Sequence, residues 1–176
     1  MWRVLLLGFG LLVAGCTGLP QGIEPVANLD ADRYLGKWYE VARLDHRFER
    51  GLSRVSAEYS PRDDGGINVL NRGYDDQEQA WQSAKGRAYF VQNDSLGHLK
   101  VSFFGPFYAS YVIFYLDADY RYAFVSGHNR DYLWFLSREP QVPEALKQQF
   151  LQKVTELGFD ASALIWVPQA EPTPAS

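Results

Sequence analysis

A chain of 176 residues with a net charge of −4 holds about one domain, and no run of Lys and Arg in it would track a nucleic-acid backbone. Its 17 Lys and Arg against 21 Asp and Glu likewise give it no electrostatic hold on an anionic membrane surface. The single cysteine, Cys16, excludes an intramolecular disulfide, while 11 Tyr, 11 Phe and 5 Trp suit strands, cavity linings and interfaces.

At the N-terminus, Met1-Trp2-Arg3 is a short charged segment and Val4 to Ala14 an apolar run. That run is too short to span a bilayer and the right length for an export signal. It ends in Val13-Ala14-Gly15-Cys16, which resembles the bacterial lipobox, where small residues precede a cysteine that is lipidated and becomes the mature N-terminus. Residues 1–15 are therefore expected to be a lipoprotein signal peptide, with Cys16 as the lipidation site. By analogy with lipoprotein sorting, Thr17 rather than Asp after that cysteine implies delivery to the outer membrane. Acyl chains contribute about 0.8 kcal/mol per buried CH₂, so several of them anchor the chain without help from charge. Residues 16–28, with Gly18, Pro20, Gly22 and Pro25 and little periodicity, read as the lipidated end and a tether. The expected domain is 29–168, and 169–176 is a Pro-containing flexible tail.

Within that domain, short alternating segments are separated by turn signals. Trp38 to Ala42 comes first, then Val55, Ala57 and Tyr59 alternating with polar residues. Asp63-Asp64-Gly65-Gly66 is a tight turn, because Asp and Gly tolerate positive φ. Ile67, Val69 and Asn71 alternate on the return strand; Gly86, Ala88 and Phe90 share one face of the next, and Leu99, Val101 and Phe103 one face of the fifth. Tyr111 to Leu116, Tyr122 to Val125 and Tyr132 to Leu136 complete eight. Eight short antiparallel strands with hairpin connections favour an all-β up-and-down barrel, which removes sheet edges by closing. One helix follows. Pro143 fits its first position, Gly158 its C′ cap, and Leu146, Phe150, Val154 and Leu157 form one apolar face that packs on the barrel wall. Ala163 to Val167 is a last β-like segment.

Three local patterns carry a resemblance to the lipocalin family. Gly36-Lys37-Trp38-Tyr39-Glu40 is similar to its Gly-x-Trp motif, Asp117-Ala118-Asp119-Tyr120 to its second motif and Ser137-Arg138 to its third. They occur in order, separated by the right strand count and followed by one helix. The stretches Asp45 to Gly51 and Val101 to Phe107, with the lipobox, resemble the bacterial outer-membrane branch of the family. The resemblance implies that Gly36, Trp38 and Arg138 are structural, the Trp closing the barrel floor and the Arg lying across its ring.

Alternation from Trp38 also predicts the inward side chains. Glu40 and Ala42 should share its side. The lining is expected to be Ala57, Tyr59, Val69, Ala88, Phe90, Val101, Phe103, Tyr111, Ile113, Tyr132 and Trp134, with Tyr115 and Val125 also favoured. Both faces of the sixth and seventh strands are apolar, so their parity stays open. Small residues beside large aromatics leave room for an acyl chain, and the resemblance implies a fatty acid or lysophospholipid as ligand. The alternative is a structural or envelope-assembly lipoprotein whose barrel is filled. His46, His98 and His128 are scattered without metal-ligand spacing, no Gly-x-Ser-x-Gly is present, and no cofactor or enzymatic activity is expected. Glu40 reads as a floor carboxylate hydrogen-bonded by Tyr or Arg. The expected setting is a lipid-anchored domain facing the periplasm, with the oligomeric state, a homodimer included, left open.

Overall fold

The computed structural model describes residues 17–170, so the export signal, Cys16 and the end of the tail lie outside the described residues. In chain order the elements are α1 (Ala31–Tyr34), β1 (Gly36–Leu44), β2 (Leu52–Pro61), β3 (Ile67–Asp75), β4 (Ala80–Phe90) and β5 (His98–Phe104). They continue as β6 (Phe107–Leu116), β7 (Tyr122–Ser126), β8 (Leu133–Ser137), α2 (Glu144–Glu156), a 3₁₀ turn at Ala161–Ala163 and β9 (Leu164–Trp166). Every expected strand is present. The eighth starts at Leu133, which leaves Tyr132 in the loop before it.

Strands β2 to β8 pair consecutively and antiparallel, β8 pairs with β1, and β1 pairs back with β2 from Gly36↔Tyr59 to Tyr39↔Ser56. That last pairing closes eight strands into a barrel. β9 pairs with the later half of β1, from Ala42↔Trp166 to Leu44↔Leu164. Because β1 begins at the floor, the hairpins β1–β2, β3–β4, β5–β6 and β7–β8 all lie at the opposite end, the mouth.

Closing the sheet sorts its side chains into two cores. The inner one holds Trp38, Tyr59, Val69, Ala88, Leu99, Ile113, Ala123, Val125 and Leu136. The outer one, between barrel wall and α2, holds Val112, Phe114, Phe124, Leu133 and Phe135 with Phe150 and Val154 of the helix. The parity of β6 and β7 is thereby settled: Ile113 and Val125 point in, Val112, Phe114 and Phe124 out. Two β-bulges overturn simple alternation, because an extra residue shifts everything beyond it to the other face. The shift between Glu40 and Ala42 sends Ala42 into the outer core, not to Trp38's side. The shift between Ile113 and Tyr115 sends Tyr115 outward, where it stacks on Phe124 at 4.4 Å and its hydroxyl accepts from Gln149.

Pro143 is the N-cap of α2, one position before that expected, and Gly158 at φ +80° takes the C′ role. Phe150 is wholly buried against Phe124, Phe135 and Trp166.

Residues 17–28 do not hang free as a tether. Val26 N–H donates to Ile113 O and Val26 O accepts from Gly97 N–H, both at 2.8 Å, and Ile23 is buried in the outer core. Ser110 Oγ donates to Gly18 O at 2.6 Å, and Arg130 bonds both Gln21 O and Leu157 O. A segment without side-chain periodicity is thus fixed through its backbone carbonyls, which a hydrophobicity pattern does not register.

Candidate functional site

The floor is built where the three sequence motifs meet. Asp30 caps α1 by accepting from Arg33 N–H, and this short helix brings Tyr34 under the barrel. Trp38 is fully buried and its Nε1 donates to Tyr34 O at 2.9 Å. The Arg138 guanidinium lies 3.8 Å above the Trp38 ring and donates to Lys37 O, Arg33 O, Tyr34 O and Tyr120 O. A cation over indole contributes about 0.5–2 kcal/mol depending on desolvation. Gly36 has φ +94°, and a Cβ there would sit 3.3 Å from Arg138 Nη1. Gly36, Trp38 and Arg138 therefore seal the floor, and no polar group of theirs is left over for a ligand.

Above the floor the wall is apolar with three phenols. Tyr34 and Tyr111 hydroxyls are 2.7 Å apart, and Tyr59 and Tyr111 hydroxyls 2.9 Å. Burial pushes all three phenols well above the ordinary tyrosine range, so they remain neutral hydrogen-bonding groups. Ala57, Tyr59, Val69, Ala88, Phe90, Val101, Phe103, Tyr111, Ile113 and Trp134 all lie in or against the inner core, as alternation placed them. Tyr132 sits higher, in the β7–β8 loop, stacked on Trp134 with centroids 6.1 Å apart and tilted against His46. Several lining residues are not sealed. Ala57, Phe90, Val101, Phe103, Tyr111 and Trp134 face inward yet remain only half-buried, and Ala84, opposite inward Asn71, is exposed. Asn71 Oδ1 has no protein partner.

Below the mouth the sequence reading missed a polar cluster. The bulge in β1 turns Arg43 to the Glu40 side, where its Nη1 donates to Glu40 Oε1 at 2.7 Å. Its Nη2 donates to Glu49 O and Leu52 O, tying the β1–β2 loop down, while Nε has no partner. Glu49 on that loop accepts from Trp134 Nε1 at 3.1 Å and lies close enough to Glu40 for their charges to interact. His46 Nε2 is 2.9 Å from Glu49 Oε2, close enough for an ion pair though poorly aligned for a hydrogen bond. Burial, then the charge of Glu49, pushes the Glu40 carboxyl well up, with Arg43 opposing. Burial also pushes Glu49 upward, but His46, the Trp134 N–H and neighbouring Glu40 outweigh it and hold Glu49 low. Of the two carboxyls, Glu40 is thus the one whose protonated form the surroundings favour. Glu40 is bonded by an arginine, as expected from sequence, though near the mouth and not at the floor. Arg43, His46 and Glu49 gave no signal, because a bulge and a loop place them together. Among the described residues, no group of three or more His, Cys, Asp or Glu gathers as metal ligands, and no helix is long and apolar enough to cross a membrane.

Residues 29–169 match the family described as a lipocalin-like domain. The chain is 54% identical to the outer membrane lipoprotein Blc of Vibrio cholerae, over 96% of its own length and 99% of that protein's. It is 53% identical to the outer membrane lipoprotein Blc of Escherichia coli K12, over 90% of each. Among solved structures, insecticyanin of the tobacco hornworm Manduca sexta superposes with a TM-score of 0.69 over 88% of each chain at 20% identity, a likeness of fold alone.

Proposed function

The chain belongs to the lipocalin family, and we propose that it is an outer-membrane lipoprotein, anchored through Cys16, whose barrel holds one lipid for storage or transport in envelope maintenance. Family membership makes it a binding protein for small hydrophobic molecules. Relatives at 53–54% identity carry the name outer membrane lipoprotein, which supports the anchoring and the location, and the domain is proposed to face the periplasm. The observation that carries the finer reading is the half-buried inward face of Ala57, Phe90, Val101, Phe103, Tyr111 and Trp134 above a sealed floor. An apolar tube closed at one end suits a single acyl chain, and a fatty acid or lysophospholipid is the proposed ligand. Each buried CH₂ contributes about 0.8 kcal/mol, so a long chain gains of order ten before ordering and translational losses bring affinity toward the micromolar range.

Calorimetric titration of the protein with a series of fatty acids and lysophospholipids of increasing chain length tests this. Affinity should rise with chain length until the tube is full, and Trp134 fluorescence should change on binding because the indole lines the upper wall. Affinity indifferent to chain length would mean that chain burial does not drive binding, and the filled-barrel alternative would stand instead.

A further inference from the structure

Two features that lipid binding inside the barrel does not use point to the same end of the molecule. Of the large apolar side chains exposed among the described residues, the four most exposed are Phe104 and Phe107 at 70%, Phe48 at 59% and Trp81 at 53%. All four lie at the mouth: Phe48 in the β1–β2 loop, Trp81 beside the β3–β4 turn, and Phe104 and Phe107 flanking the β5–β6 turn. Guanidinium groups lie beside these projections. The Arg47 guanidinium lies 4.8 Å from the Phe48 ring centroid, and the Arg87 guanidinium lies against the β5–β6 tip at Gly105. An apolar tip beside a guanidinium fits the boundary between acyl chains and phosphate headgroups, where arginine binds phosphate bidentately.

The second feature is where the described chain ends. The docked N-terminal segment climbs from Val26, bonded at the level of Ile113, to Thr17 and Gly18, bonded to His98 and Ser110. Ser110 stands three positions from Phe107 on β6, about 10 Å at the usual strand rise. Cys16 is the next residue along the chain. We infer that the barrel docks mouth-first on the bilayer that holds its anchor, with Phe48, Trp81, Phe104 and Phe107 seated among the headgroups, so that a lipid passes between bilayer and cavity without crossing water. This rests on Cys16 being the lipidated residue. The latch at Ser110 and His98 then ties the chain just after the anchor to the outer wall, about 10 Å below the aromatic rim, so that the rim is within reach of the anchoring bilayer.

Cys16 is the only cysteine, and acylation blocks it, so Phe107→Cys and, at the floor, Asp63→Cys each give one site for an environment-sensitive fluorophore. The labelled full-length lipoproteins are reconstituted into phosphatidylethanolamine–phosphatidylglycerol vesicles and checked first by flotation. The expected result is a blue shift at 107, quenched by headgroup-level nitroxide lipids, with the label at 63 unchanged. Protein that floats with both labels in water overturns the docking and leaves the anchor intact. Protein that does not float refutes the anchor at Cys16, and the docking falls with it. A blue shift at 107 that grows with protein concentration in detergent, without vesicles, assigns the rim to a second copy and overturns the proposal. In a second experiment, Phe104→Ser with Phe107→Ser should slow lysophospholipid uptake from vesicles severalfold while affinity for monomeric lysophospholipid stays unchanged. Equal uptake rates for this variant and the parent would also overturn it.

Discussion

At the scale of single residues, the paired carboxyls of Glu40 and Glu49 are the most consequential feature of the interior. Glu40 is 3% exposed and bonded to the buried Arg43, and the charge of neighbouring Glu49 helps hold its proton. An unfolded glutamate loses that proton near pH 4.3, at about its reference value, whereas the folded one keeps it. The share of stability tied to Glu40 is therefore whole below that point and is lost as pH rises through its raised folded value. Glu49, held low, acts in the opposite window: its share is present above the ordinary range and is lost as pH falls through its lowered folded value. Glu40→Gln replaces a protonated carboxyl by a neutral group of nearly the same shape and removes only the first dependence. Urea unfolding of both proteins across the acid-to-neutral range should show the parent losing stability relative to the variant as pH climbs beyond the unfolded carboxyl's range. Parallel profiles would mean that Glu40 is not held protonated.

At the scale of elements, α2 separates stability from binding. It covers the outside of the wall, and Phe150 is buried on three aromatic neighbours that never meet the cavity. Phe150→Ala should cost about 3–5 kcal/mol in chemical denaturation, the usual range for emptying a buried phenylalanine site. Its lipid affinity at low temperature should equal the parent's. A parallel loss of affinity would show that the outer core shapes the cavity. Elements were legible in the sequence because period-2 alternation and Asp/Gly turns are local signals, and α2 because its apolar face recurs at helical spacing. Bulges are not local signals. The extra residues near Val41 and Phe114 reversed the expected facing of Ala42 and Tyr115, and the first also delivered Arg43 to Glu40. Trp38 and Arg138 could be placed because their motif fixes their role. The docking of residues 17–28 leaves no hydrophobic pattern in the sequence, because backbone carbonyls carry most of it.

At the scale of the whole molecule, the sealed floor and the half-buried inward side chains above it are what the proposed lipid tube rests on. Anything that binds the folded state alone raises its stability by mass action, by about 2.7 kcal/mol at a hundredfold excess over Kd. For a domain of this size that is a rise in melting temperature of roughly 5–10 °C. Ala57 is the place to test whether the tube is where the lipid sits. It faces inward between Trp38 and Asn71, half-buried, just above the floor plug. Ala57→Trp fills the deep end of the tube with an indole, and the crowding should cost about 1–3 kcal/mol in the empty protein. The strand pairing remains, so far-ultraviolet dichroism should still report a folded barrel. A long-chain lysophospholipid should then give the parent its full rise in melting temperature and the variant little or none, while a short-chain homologue, which does not reach the deep end, should treat the two alike. If the long chain stabilises both proteins equally, the lipid lies outside the tube, and the lining named here is a core, not a site.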